Sequence, residues 1–315
     1  MSTYILRRIL ASIPVLILVT FGAFALIRII PGDLAALKLG RDATPQQVQA
    51  YRQKLGLADP IPIQYLKWVG HALTGDFGQS AWEYRPVTAV VKDKFPVTLE
   101  LALFAVLLST LIGMPLGVLS AVRQDSLLDQ GCRFVAIFFL AVPSFWLAVL
   151  LITLPQIWFG WKPPTTGWQS LFTNPFNNLW RLFWPALVIG MSSAAFILRL
   201  MRSTLLEVMR QDYIRTAWSK GLRERTVIMR HGIKVGMIPV LTAIGLQLSV
   251  LLGGAVIAEQ VFAVPGMGRS LLGAISQRDY DLVQAYVLVF ALTYLIMNLL
   301  VDLGYGYLDP RIRYR

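Results

Sequence analysis

Six long apolar stretches, separated by polar and charged segments, dominate the chain; they lie at approximately 9–30, 97–121, 134–159, 183–201, 237–258 and 284–303. Each is close to the roughly 20 residues a helix needs to cross bilayer hydrocarbon at about 1.5 Å per residue. Inside lipid the backbone must satisfy its own hydrogen bonds, so stretches of this length are expected as helices and not as open strands. The pattern predicts an all-α, polytopic membrane protein with six transmembrane helices. The first stretch also has features of a secretory signal, since Arg7 and Arg8 precede it and Ala23-Phe24-Ala25 imitates a cleavage site. Its apolar run is longer than the roughly 7–15 residues of a signal core, so it is expected to stay in the membrane.

The polar segments carry their own pattern. Between the first two spans, residues 31–95 hold two amphipathic stretches. In one, Thr44 is placed to cap a helix with Pro45 in its first turn, Val48, Tyr51 and Leu55 on one face, and Gly56 as its stop. The other follows Pro62, with Ile63, Leu66, Val69 and Leu73 on one face and Gly75 at its end. The chain is accordingly expected to divide into two parts. Residues 1–96 form the first span plus an extracytoplasmic loop with two short helices, and residues 97–315 form the core membrane domain. Pro143 is expected to kink the third span. Gly113 and Gly117 permit a close helix approach in the second, although generic packing gives the same spacing. Trp158, Trp161, Trp180 and Trp184 are expected at the outer interface, where indoles favour the headgroup level.

Composition agrees with membrane embedding: 56% of residues are hydrophobic and only 15% are charged, against about 25% charged in soluble domains. The net charge of +12 follows the positive-inside pattern and does not call for a nucleic-acid partner. Arg7, Arg8, Arg123, Arg133, Arg311, Arg313 and Arg315 fall on one side of a six-span arrangement, together with the cluster described next. That side is expected to be cytoplasmic, with both termini inside. Arg28, Arg199 and Asp302 lie near span ends, where anchoring at the interface is the default expectation.

Between the fourth and fifth spans, residues 207–234 contain Arg210, Arg215, Lys220, Arg223, Arg225, Arg230 and Lys234. At about 3 kcal/mol each, these seven charges would cost on the order of 20 kcal/mol at the bilayer centre, so the segment lies outside it. Its first part reads as a short helix that Asp212 can cap and Gly221 can end, with Tyr213, Ala217 and Ile214 as candidates for a narrow apolar face. One reading is an ordinary topology-fixing loop. The other is a docking element, because a rigid helix between two spans transmits a push into both.

The residues give no sign of machinery for catalysis, and no catalytic site is expected. Gly-x-x-x-x-Gly-Lys-Ser/Thr does not occur; Gly266-Met267-Gly268-Arg269-Ser270 lacks both the spacing and the lysine of a phosphate-cradling loop. His71 and His231 are the only histidines and Cys132 the only cysteine, so neither a His-based metal site nor a Ser–His relay is expected. No cofactor is assigned to the chain. Glu259, at the outer end of the fifth span, is a candidate pore or outer-gate residue, with a solvated rim as the alternative. Gln247 and Asn298 lie deeper and suit either interhelical hydrogen bonding or the pore.

Asp212-Tyr213-Ile214-Arg215-Thr216-Ala217, then Lys220-Gly221-Leu222, Arg230-His231 and Ile238-Pro239, resemble the coupling segment of the dipeptide and oligopeptide ABC-transporter permeases. In the wider importer family this segment carries Glu-Ala-Ala followed four residues later by Gly. Arg215-Thr216-Ala217 and Gly221 stand in those places here, so the acid is missing and no role of that acid carries over. The resemblance covers nearly the whole chain. Phe24 and Pro31-Gly32-Asp33 look like the family's first-span exit. Tyr51, Leu55-Gly56-Leu57, Pro60, Gln64-Tyr65, Trp68, Gly75-Asp76, Gly78 and Ser80 look like its first outer loop. Glu259, Phe262, Pro265-Gly266, Gly268-Arg269, Arg278-Asp279-Tyr280 and Gln284 look like its second. Leu34 and Asp281 depart from prolines that are usual there. The long first outer loop resembles the first-named permease of the family's pair.

The resemblance implies the type I ABC importer permease fold and a place in a bacterial or archaeal cell (inner) membrane. It also implies a coupling role for Asp212, Tyr213, Arg215, Thr216, Ala217, Lys220 and Gly221. Ala217 carries over for its small size and Gly221 for helix termination. The implied partners are a second, homologous permease subunit, two ATPase subunits that hold ATP and Mg, an extracytoplasmic solute-binding protein, and membrane lipid. An ion-gradient-driven transporter or channel is the alternative; it needs an intramembrane acid or a broken helix pair at mid-depth, and the sequence displays neither. A membrane enzyme comes third, for want of a catalytic cluster.

Overall fold

The computed structural model describes residues 2–29, 34–40, 43–54, 56–161, 164 and 168–308. Pro31-Gly32-Asp33, Leu55, and Arg311, Arg313 and Arg315, as well as the side chain of Asp302, lie outside the described part. Helices α1 (Ser2–Ile29), α2 (Leu34–Leu39), α3 (Pro45–Lys54), α4 (Ile61–Leu73) and α5 (Val87–Val122) lead into α6 (Leu127–Ala141), α7 (Ser144–Phe159) and α8 (Pro175–Met209). A short α9 (Asp212–Ser219) and α10 (Glu224–Thr226) follow. A π-helical turn (Val227–Gly232) then leads into α11 (Ile233–Val261), α12 (Met267–Ser276) and α13 (Tyr280–Leu308).

Among the described residues, five helices are long and apolar enough to cross a membrane, and a sixth crossing is supplied if α6 and α7 are taken as one broken span. The expected kink at Pro143 is a break of 100°. Val142 adopts an extended conformation, φ −85° and ψ 127°, and Pro143 continues it before α7 begins. The cause is local: a proline has no N–H to donate and crowds the residue before it out of the helical region. The exposed residues of α1, among them Leu10, Ile13, Ile17 and Leu18, form a surface suited to lipid. Helix α8 is the reverse: most of its apolar stretch is buried inside the protein.

The helices divide into two compact units, residues 1–97 with 266–295 and residues 98–265 with 296–315. In the first unit the core gathers Ile27, Leu34, Val87, Val90, Met267, Val283 and Tyr286. Thr44 and Gln47 close a capping box on α3: the Gln47 N–H donates to the Thr44 hydroxyl at 3.3 Å, and the Thr44 N–H to Gln47 Oε1 at 2.9 Å. Tyr65, buried on α4, shares a 2.8 Å hydrogen bond with Thr20 Oγ1 and packs edge-on against Phe21 and Phe24. Arg28 does not reach for the interface; it donates to Gln64 Oε1 at 2.8 Å and covers the Phe24 ring at 3.5 Å. Two stretches far apart in sequence are joined where the Ser80 hydroxyl donates to buried Asp279 at 2.6 Å and the Trp82 indole to the Gln277 carbonyl at 2.8 Å.

In the second unit α8 is the central post. Ala121, Ile197, Met201, Leu205 and Val240 form one core on it, and Ala136, Ala195 and Leu198 another. Gly113 and Gly117 face it from α5: a Cβ on Gly117 would lie 2.7 Å from Met201 Cβ and 2.8 Å from the Leu198 carbonyl oxygen. The glycine spacing in the second span thus serves a backbone-close crossing with α8. Trp180 and Trp184 on α8 and Trp161 after α7 stack into one edge-to-face cluster with Phe183.

Candidate functional site

Helix α9 is held by the chain on either side of it. Helix α8 stops at Met209, Gln211 turns the backbone to an extended conformation (φ −74°, ψ 151°), and α9 begins at Asp212. Asp212 is therefore the first residue of the helix and not its cap, and no side chain caps this end. Its carboxylate favours the helix N-terminus through the dipole instead. At the other end Lys220 closes the helix and Gly221 takes φ +74°, the left-handed conformation that a residue with a Cβ resists.

The apolar face consists of Ile214, fully buried, and Ala217, 7% exposed, set against Val227 and Met209. Tyr213 points elsewhere and is 44% exposed. At about 100° per residue Tyr213 flanks Ala217 on the side away from Ile214, so it sits at the edge of the buried stripe and not within it. Partial burial still pushes the Tyr213 phenol up from its ordinary pKa. The outward face carries Asp212, Tyr213, Arg215, Thr216, Trp218 and Lys220. Arg215 reaches Asp212 at 3.3 Å in a solvated i, i+3 pair, an arrangement worth little in stability. Tyr213, Trp218, Leu222 and Met229 leave large apolar groups in the open on a segment otherwise rich in Arg and Lys. An exposed aromatic and basic surface on a rigid helix has the composition of a protein-binding face.

Behind α9 the chain is tightly secured. A Cβ on Gly232 would meet Leu205 and Met209 at 3.1 Å, and Gly236 passes close to the Leu205 backbone. The Thr204 hydroxyl donates to the Gly236 carbonyl oxygen at 3.1 Å. The π turn between α10 and α11 places Val227 and Ile228 inward. Such turns are rare in helices and occur frequently at functional sites.

The other candidate residues sit apart from this face. Glu259 is fully buried near the end of α11 and accepts a 2.6 Å hydrogen bond from Thr98 Oγ1. Gln247 accepts from the Ser193 hydroxyl at 3.2 Å, joining α11 to α8. Along α11 these two are about 18 Å apart, so they do not form one site. Asn298 is half-buried on α13. Glu100 accepts from the Trp168 indole at 3.1 Å and the Asn178 amide at 2.9 Å. No cluster of three or more metal-binding side chains occurs among the described residues.

Sequence reasoning passed over a second constellation. Asp129, in the first turn of α6, is fully buried. Arg202 of α8 grips it with two charge-assisted hydrogen bonds, Nε to Oδ1 at 2.7 Å and Nη2 to Oδ2 at 2.8 Å. The hydroxyl of Ser120, on α5, adds a third at 2.5 Å, and the Asp125 N–H in the α5–α6 turn a fourth at 3.0 Å. The one legible hint was Ser126 three residues before Asp129; its hydroxyl caps α6 by accepting from the Asp129 N–H. Arg202 lies 73 residues from its partner, and no local pattern announces such a pair.

Comparison with known proteins gives concordant matches along the chain. The family described as binding-protein-dependent transport system inner membrane component matches residues 113–314, and its N-terminal counterpart matches residues 1–102. The oligopeptide transport system permease protein AppB of Bacillus subtilis is 38% identical, covering 100% of both chains. The dipeptide transport system permease protein DppB of Alkalihalophilus pseudofirmus is also 38% identical with 100% of both covered. The glutathione transport system permease protein GsiC of Salmonella paratyphi A is 37% identical with the same coverage. Among solved structures, a chain of the MetNI methionine ABC transporter in inward-facing conformations superimposes with a TM-score of 0.55 at 16% identity, over 70% of this chain and 96% of that one. A chain of an amino acid ABC transporter with histidines gives 0.53, also at 16% identity, over 70% and 94%. At that identity the structures establish the fold alone.

Proposed function

The chain belongs to the family of binding-protein-dependent transport system inner membrane components, and we propose that it is the membrane-spanning subunit of an ATP-driven importer of peptides. Di- and oligopeptides or related small solutes such as glutathione are the substrate class, following the names of the full-length relatives. Arrival on an extracytoplasmic binding protein follows from the family's description. The chain lacks a phosphate-cradling loop, so the ATP and Mg sit on two partner ATPase subunits. A second, similar permease completes the path across the bilayer. Both termini and α9 face the cytoplasm.

The observation that carries this proposal is α9: a short helix with an exposed aromatic and basic face, bolted to its own chain through Ile214 and Ala217. Tyr213, Arg215, Thr216 and Lys220 contact the ATPase, with Asp212 in the helix's first turn. Ala217 lets the helix lie close to Val227, and Gly221 lets the chain turn away after it. When two ATPases close on ATP, each pushes its coupling helix sideways. A helix seated this firmly passes the displacement into α8 and α11, which changes the side of the membrane to which the path is open. ATP hydrolysis and release reverse the movement. Glu259, Gln247 and Asn298 belong to the permease interior, where Glu259 shapes the outer end and the two amides hold helices together.

The test is uptake of labelled di- and tripeptides into vesicles that carry the assembled complex and its binding protein, with ATP supplied and ion gradients collapsed by ionophores. Uptake is expected to follow ATP and to persist without a gradient. Uptake that needs the gradient and ignores ATP contradicts the proposal and restores the ion-coupled alternative.

A further inference from the structure

We propose that the buried Asp129–Arg202 pair is a transmission clasp: it makes the α5–α6 hairpin follow α8 when the coupling helix moves, and so sets how much transport each ATP yields. The inference rests on the importer function proposed above. It concerns two positioning residues that touch neither substrate nor nucleotide.

The geometry gives the reason. Arg202 lies seven residues before the end of α8 at Met209, about 10 Å of helix, so a push on α9 reaches Arg202 through the turn at 210–211 and about two helical turns. On one side, the end of α8 is secured to α11 by the Thr204–Gly236 hydrogen bond and the close approach of Gly232 and Gly236. On the other side, α6 and α8 are joined by one hydrogen bond, from the Ser192 hydroxyl to the Phe139 carbonyl oxygen at 3.1 Å, and by apolar groups that include Cys132, Ala136, Phe139, Ala195 and Leu198. Apolar surfaces of that kind are non-directional and slide at small cost. The charged link on that side, and the one nearer to α9 along α8, is the fork of Arg202 on Asp129.

That link is also an all-or-none one. Asp129 is fully buried, and its side-chain oxygens accept from three sources besides Arg133, whose Nε stands 3.7 Å away: the Arg202 fork, the Ser120 hydroxyl and the Asp125 N–H. If α8 moved by a fraction of a turn and the hairpin stayed behind, a buried carboxylate would lose its two charge-assisted hydrogen bonds and keep only the more distant, half-exposed Arg133. Separation of such a pair is far costlier than rigid-body movement of the two helices together. Asp125 takes φ +61° in the turn, which aims its N–H at Asp129 and ties the end of α5 to the same knot. Movement of α8 is thereby delivered to α5, α6 and, across the break at Pro143, to α7.

The test uses the full complex reconstituted in proteoliposomes with its ATPases and binding protein, measuring ATP hydrolysis and peptide uptake on the same sample. In Asp129→Asn, ATP hydrolysis is expected to stay within about two-fold of wild type while peptide taken up per ATP falls at least ten-fold. Arg202→Met is expected to do the same, and the double variant to be no worse than either single one, because all three remove one link. Arg202→Lys, which keeps the charge but loses the fork, is expected to recover part of the yield. Should Asp129→Asn not assemble, Ser120→Ala, which leaves the fork in place, carries the test with an expected two- to five-fold loss in uptake per ATP. Unchanged uptake per ATP in assembled variants overturns the clasp, as does a parallel fall of hydrolysis and uptake, which marks a role in assembly alone. Wild-type vesicles that import nothing on ATP would instead bring down the importer function itself.

Discussion

At the scale of single residues, the α9 segment depends on two whose side chains are small. Gly221 stands at φ +74° with open space around it, so backbone conformation and not packing dictates its identity. A β-branched residue there is strained by about 1–2 kcal/mol, whereas asparagine visits this region readily. Gly221→Val is therefore expected to fray the end of α9 and Gly221→Asn to preserve it; hydrogen exchange of the amides of residues 214–222 in the purified protein reads the difference. Ala217 is small because it lies beneath the helix, 7% exposed against Val227, and its exposed neighbours are left to meet a partner. The sequence indicated a short helix ending at this glycine but could not rank Ile214 above Tyr213. Both are apolar enough to be buried, and eight residues span too few turns for a periodicity to choose between them.

At the scale of helices, the spans were legible because length and hydropathy alone identify them, and the capping box at Thr44 was legible because it is local. The size of the break at Pro143 was not. A proline removes one hydrogen bond, but the angle that follows depends on what the two halves pack against, here α8. The glycine spacing in α5 was ambiguous in sequence and acquires a meaning only from the helix it faces. Gly117→Leu is expected to lower stability by about 1–3 kcal/mol through overpacking against Met201 and Leu198. Gly131→Ala, where a Cβ meets nothing within 4 Å, is expected to be neutral or to gain up to about 1 kcal/mol in helix propensity. Thermal unfolding of the two variants in detergent checks the contrast. The Asp129–Arg202 pair was illegible for the opposite reason: each member looks like an ordinary charge near a span end until the fold places one on the other.

At the scale of the molecule, the proposed function has the chain supply spans and a seat for a motor that it does not contain. In the proposed function the long segment between the first two spans and α9 belong to one polypeptide but answer to different partners: the first to a solute-binding protein, the second to an ATPase. Residues that carry the family resemblance lie in these segments and in the second outer loop, and the structure brings Ser80 together with Asp279 of that loop, and Gln64 together with Arg28 of the first span. Their spacing in sequence gave no reason for those pairings, which cross about 200 and about 40 positions respectively.

The claim that α9 is where the motor attaches is tested most directly by cross-linking. Cys132 is the only cysteine, so Cys132→Ala gives a clean background for Tyr213→Cys and Trp218→Cys on α9 and for Gln49→Cys on α3. In membranes that contain the assembled complex, the two α9 cysteines are expected to cross-link to the ATPase subunit and the α3 cysteine is not. A cross-link from Gln49→Cys to the ATPase, or none from either α9 position in a complex that hydrolyses ATP and transports peptide, would contradict the account.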